Sequence, residues 1–201
     1  MRKIKQIQST MLPLPMSNVD TDQIMPKQFL KRVERSGYGK YLFFDWRKDV
    51  HGNINPEFPL NKEIYKDAKV LVAGPNFGTG SSREHAPWGL QDWGFDAIIS
   101  TNFADIFKNN CLNIGLIPVE VSAEILERLF ELIKKDSNTI VDISIENKLL
   151  VCADIHTDFF LGDFSRQKLT LGQDQIDITL EHEVSIQKFS LERKEKIPSL
   201  D

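Results

Sequence analysis

The chain has 201 residues, of which 41% are hydrophobic and 27% charged, with 11 Gly and 9 Pro; this is a folding composition, long enough for one sizeable core, and neither disordered nor collagen-like. Lys and Arg number 25 against 29 Asp and Glu, a formal charge of −4, which leaves no electrostatic footprint for DNA or RNA. Mean hydropathy is −0.29 and no run of about 18 apolar residues occurs, so a membrane-spanning helix is excluded and no membrane partner is expected.

In chain order, the amino terminus is basic, but Lys5, Gln6 and Gln8 interrupt any apolar export core, so a cytoplasmic protein is expected. Asn18 to Pro26 places Asp20 and Asp22 two apart; in an extended segment they share a face, where like charges tune each other or orient a donor, although Asx-rich stretches before Pro also mark turns. A polar stretch from about Lys48 to Lys62 reads as a connection. Lys69 to Ala73 is a short apolar run ending in Gly74-Pro75, as expected of a central strand buried on both faces. Arg83 to Trp93 can be helical, Ala97 to Ile99 reads as the next strand, and Leu116 to Val121 as a third. Ser122 to Lys135 carries a candidate N-cap, apolar residues at Ile125, Leu129, Leu132 and Ile133, and lysines in its last turn, the marks of an amphipathic helix. Thr139 to Ile145 and Leu149 to Ala153 read as strands around Glu146-Asn147, so the sheet is mixed. Gly162 to Gln175 reads as a polar segment, Thr179 to Lys194 as helical with Leu180, Val184 and Ile186 as apolar positions, and Lys194 to Asp201 as frayed. The pattern as a whole is α/β.

The densest chemistry lies in Gly74 to His85, where Gly78, Gly80, Ser81, Ser82 and Arg83 follow a buried strand and precede a helix. Such a junction binds anions: helix-start N–H groups point outward, glycines admit a ligand, and Arg83 adds a fork for a carboxylate or phosphate. The structural alternative is a tight turn whose serines cap the helix. Nucleotide motifs fail, since no Lys follows Gly80 and Arg83 stands where a dinucleotide fingerprint needs its third glycine; Glu84 likewise breaks a Gly-x-Ser-x-Gly elbow. A carboxylate-binding serine loop remains. Asn102 to Asn113, with Phe103, Ile106 and Phe107 at helical spacing, is assigned to support of that loop. His51, His85, His156 and His182 show no metal-ligand spacing, and only His85 adjoins the loop, where a structural role is expected. The two cysteines, Cys111 and Cys152, lie far apart and are read as small core hydrophobes, so no metal site is expected.

Three segments together, Asn18 to Leu30, Gly74 to Trp88 and Phe103 to Asn110, resemble the bacterial 3-isopropylmalate dehydratase small-subunit family of the aconitase superfamily. The resemblance implies a swivelling β/β/α domain with a mixed sheet, similar to the C-terminal domain of aconitase, covering residues 1–201 as one domain with a C-terminal helical extension. It implies a large-subunit partner that carries a [4Fe-4S] cluster, this chain binding no cofactor, as two isolated cysteines cannot hold one. It implies that Ser81 is the general base, that Ser82 and Arg83 bind a small dicarboxylate 2-hydroxy acid, and that Asp22 belongs to the catalytic group. Lys31, Arg32, Val33 and Arg35, in the segment ending at Gly39, resemble a mobile loop that selects the substrate side chain. The implied activity is the interconversion of 2- and 3-isopropylmalate by dehydration and rehydration in leucine biosynthesis; homoaconitase and methylmalate dehydratase small subunits are alternatives, and a nucleotide-binding regulatory domain is a distant one. At Gly89 the family more often has alanine, and a glycine inside a helix costs about 1 kcal/mol.

Overall fold

A computed structural model of the chain describes residues 2–30, 36–173 and 175–196. In chain order the elements are β1 (Gln6–Leu14), α1 (Thr21–Ile24), α2 (Phe44–Arg47), β2 (Val70–Ala73), α3 (His85–Trp93), β3 (Ala97–Ser100), α4 (Asp105–Ile114), β4 (Ile117–Glu120), α5 (Ala123–Lys135), β5 (Ile140–Ser144), β6 (Leu149–Cys152), β7 (Ile155–Asp158), α6 (Asp163–Leu171), α7 (Gln175–Leu180) and α8 (Glu183–Lys196). The segment from Lys48 to Lys62 is a connection of turns with one 3-10 turn at Pro59–Asn61. No helix among the described residues is long and apolar enough to cross a membrane.

The strands form one seven-stranded mixed sheet in the order β4-β3-β2-β1-β5-β6-β7, so the α/β expectation holds. β1 is shared between two halves. Its first residues, Gln6 to Thr10, run antiparallel to β5, and its last, Met11 to Leu14, run parallel to β2. Ser9 sits at the change of partner, and its hydroxyl accepts the Lys69 N–H at 2.9 Å just before β2 begins. β2, β3 and β4 continue the parallel half, and β5, β6 and β7 the antiparallel half.

Side chains alternate across a strand, and here both faces are covered, which explains the continuous apolar run of β2. Val70 and Val72 join Met11, Ile99, Val119 and the Leu126, Leu129 and Ile133 stripe of α5 on one face. Leu71 and Ala73 join Leu12, Leu14, Ile98 and the buried residues of α3 and α4 on the other. Ser122 caps α5 as expected, its hydroxyl accepting the Ile125 N–H at 3.3 Å.

Several expectations change. The polar segment from Gly162 to Gln175 contains α6, whose Lys168 and Leu169 are buried and whose end is a left-handed Gly172; the Leu169 carbonyl accepts the Ile4 N–H. The helical stretch from Thr179 is two helices, α7 and α8, and its apolar side chains Leu180, Val184 and Ile186 are exposed. Lys194 to Lys196 continue α8 instead of fraying, and 197–201 lie outside the described residues. β1 and β7 carry no clear alternation and were not expected.

Candidate active site at the ends of the parallel strands

The three sequence motifs leave the sheet at the carboxyl ends of β1, β2 and β3, and the backbone ties them together. The Asn18 N–H donates to the Pro75 carbonyl at 2.8 Å, and Gly78 N–H to Val19 at 2.8 Å. Asn76 donates its side-chain amide to Asn18 Oδ1 at 2.8 Å and its backbone N–H to Asn102 Oδ1 at 3.0 Å. Phe77 N–H donates to the Asn102 carbonyl and Ala104 N–H to that of Phe77. In open α/β sheets, ligands gather at this end of the strands.

Two glycines make the close approach possible. A Cβ on Gly74 would lie 2.5 Å from the Met16 carbonyl oxygen, and one on Gly78, where φ is +78°, would lie 2.2 Å from the Phe107 ring. Phe107 is buried edge-on to Phe77, with Phe103 beside both. The supporting role of this segment therefore rests on the buried Phe103 and Phe107, whereas Ile106 is 55% exposed.

Asp20 and Asp22 do not share the face of an extended segment. Asp20 is the N-cap of α1: its carboxylate accepts the Asp22 and Gln23 N–H groups, both at 2.8 Å, while Gln23 Oε1 accepts the Asp20 N–H at 2.9 Å. This capping box turns the chain at the one place where an extended run would have paired the carboxylates. Asp22, one residue into the turn, instead forms an ion pair with Arg83, through atoms that have no other partner and no solvent access. Its second oxygen lies 3.3 Å from the Lys27 ammonium.

α3 begins at His85, with Glu84 as a cap residue that makes no side-chain capping bond, so Ser81 and Ser82 precede the helix without capping it. Both serines are exposed. The Ser81 carbonyl accepts the Arg83 N–H at 2.8 Å, and Gly80 before it is left-handed at φ +91°. Arg83, half-buried with a side-chain exposure of 17%, thus stands beside Ser81 with its guanidinium aimed by Asp22. His85 lies against the rings of Tyr38 and Trp88, at 5.3 and 4.8 Å between centroids. Burial holds its imidazole below the usual 6.5; Glu84 opposes this and Arg83 adds to it.

Gly89 leaves room for the Met25 methyl, which would lie 2.4 Å from an added Cβ. Lys31, Arg32, Val33 and Arg35 lie outside the described residues.

The residues present do not fit an iron–sulfur cluster. Cys111 and Cys152 are buried in different cores, on opposite faces of the sheet. Burial pushes the Cys111 thiol well above its ordinary range and the Cys152 thiol up to about 11, whereas cluster ligands are thiolates. Among the described residues no three His, Cys, Asp or Glu side chains gather as a metal site. A cavity of about 680 Å³ lies at the opposite end of the strands, lined by Arg2, Lys69, Asp96 and Asn113 among others, and shares no residue with this site.

The sequence missed Thr21, which is 1% exposed and donates its hydroxyl to the Ser81 carbonyl at 3.0 Å; a threonine between two aspartates gives no signal of a partner 60 residues away. The same holds for Asn76 and Asn102, legible only as turn residues.

The family model of the aconitase C-terminal domain matches residues 1–124. The 3-isopropylmalate dehydratase small subunit of Rubrobacter xylanophilus is 43% identical over 98% of both chains, and that of Rhizobium etli is 46% identical over 94% of both. A crystal structure of 3-isopropylmalate dehydratase from Methanocaldococcus jannaschii shares the fold, with a TM-score of 0.62 at 24% identity over 91% of this chain and 98% of that one. The chain belongs to the 3-isopropylmalate dehydratase small-subunit family and carries its aconitase-type C-terminal domain fold.

Proposed function

We propose that this chain is the small subunit of a 3-isopropylmalate dehydratase, a hydro-lyase that works only with its large subunit, in the cytoplasm, interconverting 2- and 3-isopropylmalate in leucine biosynthesis. The observation that carries the reading is the meeting of the three motifs at one strand end, with Arg83 held against Asp22 beside Ser81. The single seven-stranded sheet supports taking residues 1–201 as one swivel domain with a C-terminal helical extension.

In this reading Ser81 takes the proton from the carbon next to a substrate carboxylate, the neighbouring C–O bond breaks, and the departing hydroxyl takes a second proton, drawn from solvent, to leave as water, giving isopropylmaleate. Water added back with the opposite regiochemistry gives the isomer. A serine acts as a base only when its alkoxide is stabilised, and the Arg83 charge two residues away supplies positive potential. Arg83 and Ser82 bind a substrate carboxylate, the planar guanidinium matching it with two parallel hydrogen bonds. Asp22 aims that guanidinium. Lys31, Arg32, Val33 and Arg35 belong to the segment that selects the side chain of the diacid. In this reading the [4Fe-4S] cluster belongs to the large subunit; the two thiols of this chain, buried in different cores, are in keeping with that.

The test is dehydration of 3-isopropylmalate, followed as isopropylmaleate absorbance, with this chain and an anaerobically reconstituted large subunit. Activity is expected only in the wild-type pair, not in either subunit alone or with Ser81→Ala. A pair silent on this substrate but active on another 2-hydroxy diacid would move the assignment to a related hydro-lyase, and full rate with Ser81→Ala would remove the base assignment.

A further inference from the structure

Thr21 is a buried polar side chain, and both of its hydrogen-bond donors point at the serine loop. Its N–H donates to the Thr79 carbonyl at 2.8 Å, and its hydroxyl donates to the Ser81 carbonyl at 3.0 Å. The two bonds grip the chain on either side of Gly80, which is left-handed at φ +91°. A β-branched side chain has few χ1 choices, so once its methyl is buried the hydroxyl direction is fixed. The same residue opens α1, whose next member, Asp22, holds Arg83. One helical turn, locked by the Asp20–Gln23 capping box, thereby sets both the peptide of Ser81 and the guanidinium beside it.

We propose that Thr21 is a positioning residue for the reaction: its hydroxyl fixes the Ser81 peptide so that the serine oxygen meets the substrate carbon in register with Arg83. This rests on the reading of Ser81 as the base. The Ser81 carbonyl keeps the Arg83 N–H when the threonine hydroxyl is removed, so Thr21→Val leaves no orphaned acceptor and is compatible with folding. What it loses is alignment, and misplacement of a catalytic group by about 1 Å can cost roughly 100-fold in rate.

The experiment uses the reconstituted two-subunit enzyme and compares wild type, Thr21→Val, Thr21→Ser, Ser81→Ala and the Thr21→Val/Ser81→Ala double variant. Thr21→Val is expected to lower kcat roughly ten- to 100-fold with KM within about twofold, Thr21→Ser to restore most of it, and the double variant to be no slower than Ser81→Ala alone. A Thr21→Val enzyme with wild-type kcat, beside a dead Ser81→Ala, overturns the role of Thr21 and leaves the base standing. Equal losses in Thr21→Val and Thr21→Ser overturn it as well, since the hydroxyl is then not what matters. Full rate in Ser81→Ala overturns the base reading itself. If Thr21→Val does not assemble with the large subunit, Thr21→Ala against Thr21→Ser gives the same comparison.

Discussion

Arg83 is held by a carboxylate it shares with nothing else at that oxygen, and its geometry as well as its charge is at stake. Arg83→Lys keeps the charge beside Asp22 and gives up the planar fork, so KM for the diacid is expected to rise roughly tenfold or more with the fold intact; steady-state kinetics of the reconstituted enzyme check this. Gly78 is the tightest point of the loop. Gly78→Ala puts a methyl into the Phe107 ring at a positive φ, and a loss of about 2–4 kcal/mol is expected in urea unfolding, from overpacking plus left-handed strain. His85 gives a pH signature. Its imidazole is depressed by burial, so as pH falls from about 7 through 6.5 the unfolded chain takes up a proton that the folded chain resists. Stability drops over that range, and above it the contribution is flat. His85→Phe keeps a ring against Tyr38 and Trp88 and removes the titration, so the loss of Tm between pH 7.5 and 5.5 should shrink. At this scale the sequence was informative where the chemistry is local: Ser81, Ser82 and Arg83 stand out by composition. It was silent where a role depends on a distant partner, as with Thr21, whose hydroxyl is explained only by Ser81.

The elements that read well are those with their own signals. β2 shows as an apolar run between polar flanks, and α5 shows as a cap, a stripe and terminal lysines. α1 did not, because its four residues are too few to show a period, and the capping box of Asp20 and Gln23 was masked by the pairing of two aspartates. β1 was hidden by its own double duty: a strand that pairs one way through Thr10 and another from Met11 meets two different environments and keeps no single alternation. α8 is the opposite case, legible as a helix yet without support. Every described residue from Thr179 to Arg193 is exposed, including Leu180, Val184, Phe189 and Leu191. A helix of 14 residues whose described side chains, Glu183 to Arg193, are all exposed is marginal in water. Hydrogen exchange on the isolated subunit should therefore find the amides of α8 nearly unprotected while those of α5 exchange slowly.

Across the whole molecule, the site is built on the parallel half of the sheet while the antiparallel half has no motif, yet the two cannot come apart because one strand belongs to both. The three tryptophans, Trp46, Trp88 and Trp93, all pack on the core beneath the site. Val141, fully buried on β5, lies in the other core and the other half. Val141→Ala is expected to cost about 2 kcal/mol, and to shift the urea midpoint seen by tryptophan fluorescence as far as the one seen by far-ultraviolet circular dichroism. Separate midpoints would show that β1 does not couple the halves. The shared strand also has a consequence for biosynthesis. β1 is translated before either of its neighbours, its parallel partner starting at Val70 and its antiparallel partner at Ile140. At about 5–20 residues per second, the strand leaves the ribosome on the order of 10 s before the second of those edges exists. For the first part of that interval, until Val70 emerges, the strand has both edges open; for the rest of it the Gln6 to Thr10 edge still lacks its partner, and that edge is the more polar half of the strand.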